Sequence, residues 1–203
     1  MHANLALRGL VIGLILVLAG CGTNDPAEDD STSSSAHNPA DVAFAQQMIQ
    51  HHAQGLQLVD LTFGHNLEPE LTTLIEAMRE ARGVEIETMA GWLRTWNEDI
   101  PATVRDHVNS HAGEHPATGD EDDTGLDLPG MASADDLEAL ERADGAEFLD
   151  LWLTLMIEHH RGAIELAQDH QSAGRYQPAV GLAQKIEVSQ TSELGLMTDL
   201  LSP

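Results

Sequence analysis

Along the chain, apolar side chains recur every three or four residues in four long stretches, the spacing that lines one face of a helix. The first stretch opens at Asn38-Pro39, a cap residue followed by a first-turn proline. It carries Phe44, Met48, Leu56 and Val59 to a stop at Gly64, which predicts a helix over about 40–63. The second runs from Pro69 to about Trp96 on Leu71, Leu74, Ile75, Met78, Ile86, Met89 and Leu93, with Gly83 as an interior weak point. Ser133 and Asp136 are spaced as a capping box and open a short helix to about Ala143. Long helices follow over about 145–172 and 177–201, separated by Gly174. Between Asn97 and Gly130 the period is lost. Nine acids, one Arg and prolines at 101, 116 and 129 make this a long connection. No run alternates Val, Ile and Thr with polar residues, so the predicted class is all-α.

The four long helices are two copies of one hairpin. With an offset of 108 and no gap, residues 48–89 overlie 156–197 with eight identities. Ile49/Ile157, Leu58/Leu166 and Leu74/Leu182 are core matches that any two helical hairpins could share. The other five pairs are Met48/Met156, His51/His159, His52/His160, Glu85/Glu193 and Met89/Met197, side chains that apolar packing does not require. A duplicated hairpin with a long crossover is the plan of a four-helix bundle, and a pseudo-twofold axis would bring its halves face to face. The predicted domain is 39–201: repeat one at 39–96, an acidic connection at 97–130, and repeat two at 131–201.

Charge and the amino terminus add a setting. Nine basic residues against 34 acidic ones give −25, which repels phosphate backbones and argues against a nucleic-acid partner. The chain opens with Arg8 and an apolar run from Leu10 to Ala19, too short for a comfortable membrane span of ~20 residues. Leu18-Ala19-Gly20-Cys21 follows and resembles the lipobox of bacterial lipoproteins, so residues 1–20 read as a signal peptide and Cys21 as the lipidation site. Cys21 is the only cysteine, and lipidation would consume its thiol. Cleavage would remove Arg8 and no acid, leaving −26 on the processed chain. Residues 21–38, with Ser31 to Ser35, then form a flexible tether to the bilayer. The expected location is extracytoplasmic and membrane-anchored.

The repeated residues have a chemistry in common. At 3.6 residues per turn, Met48, His51 and His52 share one flank of a helix, as do Met156, His159 and His160. Glu85 stacks with Met89, and Glu193 with Met197, four residues apart. Thioether sulfur and neutral imidazole suit Cu(I), imidazole also suits Cu(II), and a carboxylate binds a harder ion or orients an imidazole. Copper is the favoured ligand. The plain alternative is a metal-free helical module of the envelope, in which the methionines fill the core and Glu85 and Glu193 satisfy the histidines. A di-metal oxidase of the ferritin type would need Glu-x-x-His on two helices; no such motif occurs, and Met-x-x-His stands in its place. In the connection, His107, His111 and His115 recur every four residues among acids. They are weak metal candidates or a solvated loop, since Gly113 and Pro116 oppose a stable helix. Gly-rich phosphate loops and Gly-x-Ser-x-Gly are absent, and no catalytic residue is expected.

Met48-Ile49-Gln50-His51-His52 and Met156-Ile157-Glu158-His159-His160-Arg161-Gly162-Ala163, followed by Glu193 and Met197, resemble the domain of unknown function 305 family. Pro129-Gly130-Met131 before the second half adds to the likeness, which spans about 39–201. The resemblance implies a ferritin-like four-helix bundle in secreted or periplasmic bacterial proteins, some of them associated with copper binding and copper tolerance, without an established catalytic activity. It also brings Asp41, seven residues before Met48, and Met131 into the candidate metal set. Two positions break the repeat: Leu149 stands opposite Asp41, with Asp150 beside it, and Arg82 stands where the second half has Gln190. The function this points to is an extracytoplasmic, lipid-anchored protein that buffers or relays metal ions; its protein partner is not specified by the residues.

Overall fold

Asn38 caps the first helix as its sequence predicts. Its side chain accepts from the Asp41 amide at 3.0 Å, while Asp41 accepts from the Asn38 amide at 2.7 Å. In this computed structural model, residues 36–103 and 128–201 are described. Helix α1 spans Pro39–Asp60 and stops short of the predicted end, because Thr62 turns back to donate to the Val59 carbonyl at 2.7 Å and the chain reverses through Gly64 at φ 90°. Helix α2 spans Pro69–Trp96 and ends at Asn97 in the left-handed conformation, φ 59°. The Ser133–Asp136 capping box opens α3, Ala134–Arg142. Helices α4, Gly145–Ala173, and α5, Gln177–Leu201, complete the order. Among the described residues there is no strand, and no helix is long and apolar enough to cross a membrane.

Helix α1 packs on α2, α4 on α5, and α1 on α4, which joins the two hairpins through their first helices. Helices α2 and α5 instead face each other across a groove. The apolar interior is divided in two. One cluster holds Phe44, Met48, Ile49, Met89 and Leu93 with Ala163, Ala183 and Ile186. The other holds Leu58, Met78, Trp152, Met156, Ile157 and Met197. The pseudo-twofold relation of the sequence repeat therefore exchanges the clusters, with Met48 and Met89 in one where Met156 and Met197 are in the other. Each fully buried side chain of this size contributes about 1.5–3 kcal/mol. The indole of Trp152 keeps its polar atom satisfied by donating to the Leu58 carbonyl at 2.8 Å. The doubled histidines follow Met48 and Met156 by one helical turn, so they form a polar layer between the two clusters.

Candidate metal centre

All four histidines of the layer are closed to solvent. His51 and His159, the repeat-related pair, place their ring centroids 4.0 Å apart with the planes tilted by 42°. His51 donates from Nε2 to the Pro129 carbonyl at 3.0 Å, and His159 donates from Nε2 to the His51 carbonyl at 3.0 Å. A carbonyl accepts only, so each ring carries its proton at Nε2 and presents a bare lone pair at Nδ1. Neither Nδ1 has a partner, although both are buried. Burial, aided by neighbouring His52, pushes the His51 imidazole down to about 3. Burial likewise holds His159 well below the ordinary range. Both rings are therefore neutral at physiological pH, the state and tautomer in which an imidazole ligates metal.

Glycine makes this approach possible. A Cβ at Gly55 would lie 2.9 Å from the His159 ring, and one at Gly162 would lie 1.7 Å from the Pro129 oxygen. The turn at Pro129-Gly130 is thus pressed against α4, with Gly130 at φ 75° and its α-carbon close to the Glu158 carbonyl. Gln54 fixes the turn from the α1 side, donating to the Ala132 carbonyl and accepting from the Ala132 amide, both at 2.8 Å. The result is a carbonyl aimed at His51.

The second histidine of each pair meets a carboxylate. His52 Nε2 lies 2.7 Å from Glu85 Oε2, and His160 Nε2 lies 2.8 Å from Glu193 Oε2. His160 Nδ1 donates to the Met156 carbonyl at 2.7 Å, whereas His52 Nδ1 is buried without a partner. Arg82, also buried, places Nη2 3.1 Å from His160 Nε2 and 3.4 Å from Glu193 Oε2. Burial lowers His52 and His160, and their carboxylate partners offset only part of that shift. Burial raises Glu193, but His160 and Arg82 outweigh it and hold the carboxyl below its usual range. Two carboxylates and one guanidinium therefore border four imidazoles.

The remaining predicted residues divide as follows. Met48, Met89, Met156 and Met197 are fully buried, each in its apolar cluster. Met131 follows the Pro129-Gly130 turn and packs half-buried on the first cluster. Asp41 is not brought into the layer: seven residues along α1 place it about 10 Å from Met48. Its oxygens accept from the amides of Asn38, Arg175 and Tyr176, the last two at 3.1 Å, so one carboxylate serves the starts of both α1 and α5. Cys21 and His107, His111 and His115 lie outside the described residues. Among the described residues, no three His, Cys, Asp or Glu side chains gather in an arrangement that could hold a metal ion. What the layer offers is an imidazole pair with free lone pairs, flanked by two His–Glu pairs. Sequence reasoning did not single out Gln54, Gly55 or the Pro129 carbonyl, and it noted Arg82 only as a break in the repeat.

Fold and layer together define an all-helical bundle built by duplication around buried histidines. The sequence profile of the domain of unknown function 305 matches residues 41–201, and the chain belongs to that family. A family structure from Streptomyces coelicolor, of a protein inferred to be secreted, is 26% identical with a TM-score of 0.64, covering 80% of this chain and 92% of that one. A fragment from Deinococcus radiodurans is 23% identical with a TM-score of 0.63, covering 81% and 96%. CopM in its Cu(I)-bound form has the same fold at 21% identity and a TM-score of 0.59, covering 79% and 94%; CopM is also known in Cu(II)-bound, silver-bound and apo forms. No curated protein matches the chain.

Proposed function

We propose that this protein is an extracytoplasmic, lipid-anchored metal-binding protein that takes a soft cation, Cu(I) foremost, into its histidine layer and buffers or relays it near the membrane. The observation that carries the reading is the His51–His159 pair: two buried, neutral imidazoles in contact, each with Nε2 tied to a carbonyl and Nδ1 left free. An unpaired buried acceptor costs about 1–3 kcal/mol, and a bound cation would recover that cost at both rings. Charge agrees with this. Glu85 and Glu193 stand against Arg82 alone, so one added positive charge balances the layer. Met48 and Met156, one turn before the histidines, supply thioethers of matching softness. The occurrence of the same fold in CopM with copper and silver bound supports the choice of ion.

Replacing His51 and His159 together by Ala is expected to abolish the tight class of Cu(I) binding in equilibrium dialysis. The same pair replaced by Gln, which can still donate to both carbonyls, should retain the fold and lose the ion. In the parent, Cu(I) at 100 times its Kd should raise stability by about 2.7 kcal/mol, read as a higher melting temperature. Unchanged copper stoichiometry in both double variants overturns the reading.

A second reading, a metal-free interaction module, is favoured by the direct His52–Glu85 and His160–Glu193 contacts, which give one nitrogen of each ring a partner without any ion. It expects no copper-dependent stabilisation of the parent. An oxidase reading gains nothing from the layer, because each carboxylate is engaged by its own histidine. The anchor has a separate test: Cys21→Ser should move the protein from the membrane fraction to a soluble or unprocessed form, and unchanged fractionation would remove the lipoprotein claim.

A further inference from the structure

The four histidines of the layer are sealed from water, so an ion can reach them only past a side chain that faces both the layer and the outside. Among the described residues, the side chains that touch a layer histidine and are themselves partly exposed include Glu85 and Glu193, at 16% and 15%. They are related by the repeat, but their surroundings differ. At Glu193 the guanidinium of Arg82 stands 3.4 Å from the carboxylate and 3.1 Å from His160, a fixed positive charge in the path of any cation. Near Glu85 no arginine or lysine among the described residues comes within 4 Å. One Glu85 oxygen holds His52, and the carboxylate itself lines the groove between α2 and α5.

That groove has a volume of about 750 Å³. Its walls are small where the helices face each other, with Ala77, Ala81 and Gly181, and Glu80 and Lys185 also border it. We propose that this groove is the path by which a soft cation reaches the layer, with Glu85 as the first protein ligand and the point of transfer to His52. The proposal rests on the metal-binding reading above. A carboxylate is a hard donor and holds a soft ion weakly, so it releases the ion readily to an imidazole. His52 is placed to receive it. Its Nε2 faces Glu85 and carries the proton of that hydrogen bond, so as the ion passes from Glu85 to Nε2 this proton moves to the vacated carboxylate oxygen. Arg82 biases entry toward Glu85, because it stands 3.4 Å from the Glu193 carboxylate, whereas Lys185, which borders the groove, comes within 4 Å of no Glu85 oxygen. The break in the repeat at position 82 thus acquires a role.

The test follows Ag(I), a redox-stable stand-in for Cu(I), entering the full processed chain, with uptake rate and final stoichiometry measured separately by rapid mixing and silver analysis. A Cβ at Gly181 meets nothing within 4 Å and Gly181 lines the groove, so Gly181→Phe projects a ring into it from a helix-interior glycine. Gly195 on the same helix is equally open, and Gly195→Phe serves as the control outside the groove. The expected result is uptake slowed by about tenfold or more in Gly181→Phe and in Glu85→Gln, the lower end of what a focused negative field adds to an association rate. Gly195→Phe should load at the parental rate, and Gly181→Phe should reach the parental stoichiometry. Parental rates in either Gly181→Phe or Glu85→Gln, or equal slowing in Gly195→Phe, overturn the path while leaving the binding reading intact. A parent chain that takes up no silver overturns both.

Discussion

Acidification from pH 7 to pH 4.5 is expected to remove several kcal/mol of stability, enough to unfold a bundle of ordinary stability. The cause is the histidine layer. His51 titrates near 3 in the folded chain and near 6.5 when unfolded, so between these values the unfolded chain binds a proton that the folded chain refuses. Its contribution is complete above pH 6.5 and is lost progressively as pH falls toward 3. Two pH units below the unfolded value, His51 alone costs about 2.7 kcal/mol. His52, His159 and His160 are depressed in the same direction and add to the loss, the glutamate contacts moderating it at His52 and His160. Urea midpoints measured across this range should fall steadily below pH 6.5. A flat profile would mean that the histidines are hydrated or charged in the folded state. Since imidazole must be neutral to coordinate, any bound ion should be released over the same window.

The second large effect is expected at Gly162. Replacing it by Ala puts a methyl group 1.7 Å from the Pro129 oxygen and 2.3 Å from the carbonyl carbon, and both neighbours are backbone rather than yielding side chain. The Pro129-Gly130 turn must lift from α4, and His51 then loses the acceptor for its Nε2 proton. A loss of about 3 kcal/mol or more is expected, the upper range for overpacking joined to a broken buried hydrogen bond. Gly83→Ala is the matched comparison: nothing lies within 4 Å of its Cβ, and the helix should gain up to about 1 kcal/mol. If Gly162→Ala melted with the parent, the turn would not be seated as described.

Much of this architecture was legible before the fold. Helical period, the Asn38-Pro39 cap, the Ser133–Asp136 capping box and the loss of pattern after Asn97 are local signals, and α2, α3 and α5 run close to where those signals placed them. The duplication went further, because matching Met, His and Glu at one offset required the two hairpins to bring equivalent groups to a common axis. The details of the layer were less legible. Which histidine would meet a glutamate and which would meet its twin depends on how closely α1 and α4 approach at Gly55 and how the Pro129-Gly130 turn seats on Gly162, both contacts across the fold. Arg82 and Gln190 occupy equivalent positions in the repeat, yet the buried charge reaches across to the other hairpin's Glu193. Asp41 shows the same limit: its capping of α1 is local and predictable, whereas its hold on Arg175 and Tyr176 spans more than 130 residues of sequence.

That hold also determines how the domain bears mechanical load. Any pull on the chain ahead of α1 arrives at Asn38 and Asp41, which are bonded to the turn between α4 and α5 through the amides of Arg175 and Tyr176 and through the Asn38 side chain on the Ala173 carbonyl at 2.9 Å. These bonds sit side by side and share the force, so the first turn of α1 resists being peeled away one residue at a time. Tension there is shared with the opposite hairpin through the ends of α4 and α5. A force applied ahead of α1 would thus have to loosen both hairpins together before the first helix came free.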